Sequence, residues 1–245
     1  NYDSLANTDD GNCCLSQSNQ IGQTITSTET YDRTGYVASI SNDGNTFAVG
    51  SPNASSNRGL TRLYTKVSDP SLGTWTWTQT ATILGESFSD RSGMSVSLSG
   101  DGNTIAIGAP QNDGNGNASG HVRVFENFSG VWSQKGQDIE GEASGDESGG
   151  SVSLSVDGNT VAIGARYNDG GGSTSGHVRI YEYISGIWTQ VGIDINGEYN
   201  DQSGRSVSLS GDGNTVAIGA PERFNEGTVR LYTKISDPSF GTWTW

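Results

Sequence analysis

The chain has 245 residues, enough for one large all-β domain or two ordinary ones, and carries 27 acidic against 13 basic side chains for a formal charge of −14. Such a surface repels phosphate backbones and excludes nucleic acid as the expected partner, and no run of about 18 apolar residues is present to insert into a membrane. With 36 glycines and abundant Ser, Thr, Asn and Asp, the composition supplies turns in place of helix formers.

Residues 1–18 do not match the rest of the chain, and are expected to be the Asp-rich, Cys-containing tail of a preceding module or a linker. Residues 19–245 make up the repeating domain. Cys13 and Cys14 are adjacent, which disfavours a relaxed disulfide between them. Cysteine partners outside this sequence and free thiols both remain open. Asn1–Cys13 resembles the end of a short Cys-bounded, Asp-rich repeat of secreted and surface proteins of marine microbes and their phages. That resemblance implies a processed or partial piece of a longer protein.

From residue 23 onward the chain repeats. Ser95–Pro110 (SVSLSGDGNTIAIGAP) returns as Ser151–Arg166 and Ser206–Pro221, and more loosely as Val37–Pro52, with starts 58, 56 and 55 residues apart. Each copy reads as two strands, apolar residues alternating with Ser or Ala around an Asp-Gly pair at 43–44, 101–102, 157–158 or 212–213. The pair suits a two-residue hairpin with positive φ. An Asp-x-Ser/Thr-Gly turn precedes each copy at Asp32, Asp90, Asp146 and Asp201. A third strand follows at 59–64, 120–125, 176–181 and 227–232, and a fourth starts at Trp77, Trp132, Trp188 and Trp245.

Four short antiparallel strands per period, with an aromatic signature in each, describe an all-β fold, the β-propeller of four-stranded blades. Blades pack on both faces, so their inner strands need apolar residues on one face and small ones on the other. Val152 and Leu154 against Ser151, Ser153 and Ser155 fit that demand. Asn19 and Trp245 both fall level with Trp77, so four whole periods are present. A closed four-bladed ring is the economical arrangement. Part of a larger propeller, or two chains sharing one ring, satisfies the same counts.

Gly93–Pro110 followed by Gly120–Phe125 resembles the FG-GAP repeat, the propeller blade of integrin α-subunits and of many bacterial, algal and viral surface proteins. The resemblance spans about 220 residues. It implies a non-catalytic extracellular module at a cell or virion surface, binding a protein or glycan and set in a larger assembly. It requires no cofactor and admits Ca²⁺. The family's calcium-binding hairpin is reduced here to Asp-Gly, with Ser97 and Ser99 where acids would stand, and Ser92, Ser148 and Ser203 replace the usual aromatic before Gly. The hairpin also resembles the Asp-box of sialidase-type propellers, which keeps a glycan-cleaving enzyme, sialidase-like or lyase-like, as the alternative. No set of arginines with a Tyr/Glu pair can be assembled for it, so an enzyme is not expected.

Asp43, Asp101, Asp157 and Asp212 are expected to hydrogen-bond their own hairpins. Asp32, Asp90, Asp146 and Asp201 brace the loops before each inner strand or, read more sharply, form a ring of carboxylates that holds a cation. Arg62, Arg123, Arg179 and Arg230 recur at one place in the third strand and need carboxylate partners if buried. The loops between second and third strands vary, and Asn112, Asp113, Asn168 and Asp169 in the two long ones are candidates to meet a partner. His121 and His177 precede matching strands and are too few and too separate to make a zinc site.

Overall fold

A computed structural model describes residues 20–27, 29–69, 74–223, 226–237 and 242–244. The tail at 1–18, with Cys13 and Cys14, lies outside them, as does Trp245. The first sheet is β1 (Val37–Ile40), β2 (Thr46–Ser51), β3 (Leu60–Asp69) and β4 (Thr74–Leu84), with a short turn α1 (Ala54–Asn57) between β2 and β3. The second is β5 (Ser95–Leu98), β6 (Thr104–Ala109), β7 (His121–Phe128) and β8 (Val131–Gln134), with β9 (Ile139–Glu140) returning to pair the start of β7. The third repeats this as β10 (Ser151–Leu154), β11 (Thr160–Ala165), β12 (His177–Ile184), β13 (Ile187–Gln190) and β14 (Ile195–Asn196).

The fourth is β15 (Ser206–Leu209), β16 (Thr215–Ala220) and β17 (Thr228–Thr233), followed by a hairpin of β18 (Ile235–Asp237) and β19 (Thr242–Thr244). Residues 229–244 nearly repeat 61–76, and the hairpin keeps the register of the first sheet: Ile235 faces Thr244 as Val67 faces Thr76. All strand pairs within a blade are antiparallel, the strand order expected of propeller blades.

The core lies between blades. Each second strand points its large residues back and its alanine forward. Ile105 and Ile107 pack with Ala48, Leu63 and Ile83 of the first blade, while Ala106 joins Val122 and Val124 against Leu154, Val161, Ile163 and Trp188 of the third. The third cluster sets Ala162, Val178 and Ile180 against Leu209, Val216 and Ile218. Small against large on alternate faces lets twisted sheets approach closely while filling the gap. In the fourth blade the forward face is bare: Val229 and Leu231 are 65% and 71% exposed, where Val122, Val124 and Val178 are fully buried.

Backbone joins the blades as well. At each hairpin tip one N–H donates to the next blade's carbonyl: Asn42 to Gly100, Gly100 to Val156 and Val156 to Gly211, at 2.8–2.9 Å. The inner strands β1, β5, β10 and β15 thus stand in a row, each beside the next. The row is open. Among the described residues no closed ring forms, which corrects the four-bladed ring that the matching ends suggested. Ring closure depends on the angle between blades, and strand periodicity carries no information about that angle.

The hairpins also differ from expectation. Strand pairing ends at Ile40 and Phe47, so the connection has six residues, closed by Ser41 N–H donating to Thr46 C=O at 2.9 Å. Within it Gly44 N–H donates to Ser41 C=O at 3.0 Å, and only the glycine has positive φ, +67°. This is a turn followed by a left-handed glycine, in place of a two-residue loop with both residues left-handed.

Candidate functional site

The hairpin carboxylates are satisfied locally. Ser41 Oγ–H donates to Asp43 Oδ1 at 2.6 Å, Asn45 N–H to the same oxygen at 2.9 Å, and Asn45 Nδ2 to Asp43 Oδ2 at 2.9 Å, while Ser41 Oγ accepts from Thr46 N–H at 3.0 Å. The same set surrounds Asp101, Asp157 and Asp212. The Ser41 hydroxyl and the Asn45 donors hold Asp43 below the usual carboxylate range. For Asp101, burial acts to raise the pKa and is outweighed by the Ser99 and Asn103 donors. The serine that stands where the FG-GAP family carries an acid is therefore a donor that closes the turn.

Asp32, Asp90, Asp146 and Asp201 are all buried, and each is held by hydrogen bonds. Asp32 accepts from Ser27 Oγ at 2.5 Å and from both the N–H and the hydroxyl of Thr34 at 2.8 Å. Asp90 and Asp146 accept from backbone N–H groups three residues earlier and from Asn112 Nδ2 at 3.0 Å and Asn168 Nδ2 at 2.9 Å. Asp201 accepts from Arg223 at 2.9 Å and Arg230 at 3.1 Å. No three of these four carboxylates share a cation-sized cluster among the described residues. The residue after each Asp, Arg33, Arg91, Glu147 or Gln202, is left-handed with φ of +50° to +57°, a conformation the Asp bonds help to hold.

Each recurrent arginine lies against a carboxylate. Arg62 is 3.7 Å from Asp32, Arg123 is 3.4 Å from Glu86, Arg179 binds Asp194 at 2.9 Å and also Glu142, and Arg230 reaches Asp201 at 3.1 Å and Glu198 at 3.5 Å. The strand places the arginine on the face that looks back toward the preceding blade, and the carboxylates come from loops on either side of it.

The long loops are built. Asn112 and Asn168 are buried, each bracing an aspartate and accepting at 2.8 Å from the N–H two residues on. They are not partner-facing, a correction to their reading as rim residues. Asp113 and Asp169 do face solvent, each accepting from an N–H five residues later at 2.8 and 2.7 Å. Sequence reasoning missed the exposed aromatics on the neighbouring turns: Phe88 at 75%, Tyr199 at 70% and Tyr31 at 89%. Phe88 and Tyr199 hold the same repeat position, two residues before the loop aspartate, and that recurrence was the available signal.

A second feature was missed. His121 and His177 remain apart, but each meets two carboxylates: Glu86 and Asp138 for the first, Glu142 and Asp194 for the second. The spacing is identical in both copies, His 35 residues after the Glu and Asp 17 after the His. Burial, then the Arg123 charge, pushes the His121 imidazole below its ordinary pKa, and burial does the same to His177.

A row of four-stranded antiparallel blades with inter-blade cores defines a β-propeller-like fold. Residues 77–125 and 140–181 match the family model of the FG-GAP repeat, which supports an FG-GAP β-propeller-like fold. No curated protein matches the chain. Among solved structures, a presumptive 6-phosphogluconolactonase from Bacteroides uniformis is similar over 86% of this chain and 70% of its own, at 13% identity and a TM-score of 0.46, a likeness too low to carry an argument. No helix of the described residues is long and apolar enough to cross a membrane.

Proposed function

We propose that this chain is a non-catalytic adhesive module of an extracellular, cell-surface or virion-surface assembly, binding a protein or glycan through one rim of its blades. The observation that carries the reading is the exposure of Phe88 and Tyr199, in loops whose neighbours Asp113 and Asp169 also face solvent across the same row of blades. Large rings held in water on ordered loops are the groups that gain most from a partner's surface. FG-GAP repeats, matched over residues 77–125 and 140–181, support a protein-binding role. The hairpin aspartates and the loop aspartates Asp32, Asp90, Asp146 and Asp201 are committed to turns and arginines, which leaves recognition to the exposed groups of the loops.

The test is saturable binding of the purified chain to glycan and protein panels, with released product measured in the same wells. Binding without product, weakened at least tenfold by Phe88→Ala with Tyr199→Ala, supports the module. Product release, or binding indifferent to both substitutions, contradicts it.

A further inference from the structure

His121 is 1% exposed, and neither of its ring nitrogens has a hydrogen-bond partner; His177 is 3% exposed, and its Nδ1 has none. A buried imidazole left this way has lost its water without gaining a partner. His121 Nδ1 lies 3.9 Å from Glu86 Oε2, and His177 Nδ1 lies 3.8 Å from both Glu142 Oε2 and Asp194 Oδ2. Those separations exceed a hydrogen bond. They are a few tenths of an ångström wider than the ~3.4 Å between two donors on one tetrahedral zinc ion with bonds of about 2.0–2.2 Å. Within each group all three donor atoms lie within 4.8 Å of one another.

The other carboxylate oxygens are already held. Arg123 sits on Glu86 Oε1 and donates to Leu84 C=O, and Gln134 Nε2 donates to Asp138 Oδ1. In the second group Arg179 holds Glu142 Oε1, Gln190 Nε2 donates to Asp194 Oδ1 at 2.7 Å, and Arg179 bonds both Asp194 oxygens at 2.9 and 3.0 Å. Such outer partners orient ligands in protein metal sites. The blades without a full set lack the histidine, having Leu60 and Thr228 in its place.

We propose that these are two inter-blade sites for a divalent transition-metal ion of the zinc class: Glu86, His121 and Asp138 between the first and second blades, and Glu142, His177 and Asp194 between the second and third. An imidazole nitrogen with two carboxylates suits zinc-class ions, whereas Ca²⁺ and Mg²⁺ take oxygen ligands. The glutamate comes from the link leaving one blade, and the histidine and aspartate from the next blade, so the ion joins neighbours and stabilises their contact by mass action. The first site is the tighter one. Glu140, cross-strand to His121, brings a further negative charge next to the first group, where the second has Asn196, and in the second Arg179 competes for Asp194.

The experiment uses the full chain, stripped with a chelator and with Cys13 and Cys14 alkylated. Zn²⁺ is titrated by calorimetry and Co²⁺ by visible absorption. Two ions per chain are expected, without thiolate charge-transfer bands and with a rise in Tm. His121→Thr and His177→Thr, each copying Thr228, should each remove one ion or weaken it at least a hundredfold, while metal-free melting shows that the fold survives. Asp138→Asn is the second variant, expected to weaken the first site alone. Failure to bind either ion at 100 µM, undiminished stoichiometry in the double histidine variant, or equal competition by Ca²⁺ would overturn the proposal.

Discussion

Ser97 Oγ accepts a hydrogen bond from Leu154 N–H at 3.0 Å, across the boundary between the second and third blades. Ser39 does the same for Leu98, and Ser153 for Leu209, both at 2.9 Å. An inner strand has its neighbour's face where water would otherwise solvate its free amides, and a small hydroxyl is the group that fits there. A second serine series donates outward, Ser95 Oγ to Gly149 C=O and Ser151 Oγ to Gly204 C=O at 2.7 Å. The serines that alternate with the apolar residues are therefore inter-blade polar contacts.

Gly108 marks how close the blades come. A Cβ built there would stand 2.0 Å from Gly149 C=O of the third blade, and one on Gly164 would stand 2.1 Å from Gly204 C=O. Gly219, at the same place in the fourth blade, would meet only the rotatable Ser206 hydroxyl, at 2.4 Å. Gly108→Ala should destabilise by about 3 kcal/mol or more, because backbone must move. Gly219→Ala should cost under about 1 kcal/mol. Urea midpoints of the two variants check the contrast, and equal losses would contradict the packing.

Gln137 clamps Trp188 from the preceding blade. Its Nε2 donates to Trp188 C=O at 2.7 Å, its Oε1 accepts from Trp188 N–H at 3.0 Å, and the indole N–H donates to Lys135 C=O at 2.7 Å. Gln23 and Ile21 clamp Trp77 in the same manner. Trp188→Ala removes a ring only 3% exposed and should cost about 3–5 kcal/mol, whereas Gln137→Ala should cost about 1–2 kcal/mol. Ile193 holds the place of Gln137 one blade on, so Ile193→Ala should leave the midpoint unchanged within about 0.5 kcal/mol.

Acid should unfold the chain. Hydrogen bonds hold Asp43 and Asp212 below their ordinary value near 3.8, and at Asp32, Asp101, Asp157 and Asp201 such bonds outweigh a burial effect of opposite sign. A carboxylate with a folded pKa below its unfolded one contributes stability that is complete above the unfolded value. That contribution is lost as pH falls through the folded value. Tm should therefore hold from these groups above about pH 5 and drop below about pH 4, and Asp101→Asn should shrink the drop. A Tm that rises on acidification through this window would refute the assignment.

The period, the strands and the blade were legible in the sequence because Ser or Ala alternating with Val, Ile or Leu has one meaning in a sheet packed on both faces. The hairpin geometry was not, because the Ser41 and Asn45 side chains, beyond the Asp-Gly pair, set the length of the turn. Asn112 reads as a loop residue until Asp90, 22 positions earlier, is seen to accept from it. Ser92 is buried where a parallel bridge brings its backbone against Gly59, a contact between residues 33 positions apart that the repeat pattern does not reveal. The histidine groups were hidden because their members come from two blades. The open row was hidden because contacts such as Gly108 with Gly149 set the spacing of the blades.

The inter-blade row is tested most directly by native-state hydrogen exchange at the amides of Leu98, Leu154 and Leu209. These N–H groups have no partner other than a serine of the preceding blade to shield them. Exchange is expected only on global unfolding, with Ser97→Ala accelerating Leu154 at least tenfold and leaving Leu98 unchanged. Rapid exchange of all three in the intact chain, or indifference of Leu154 to Ser97→Ala, would contradict it.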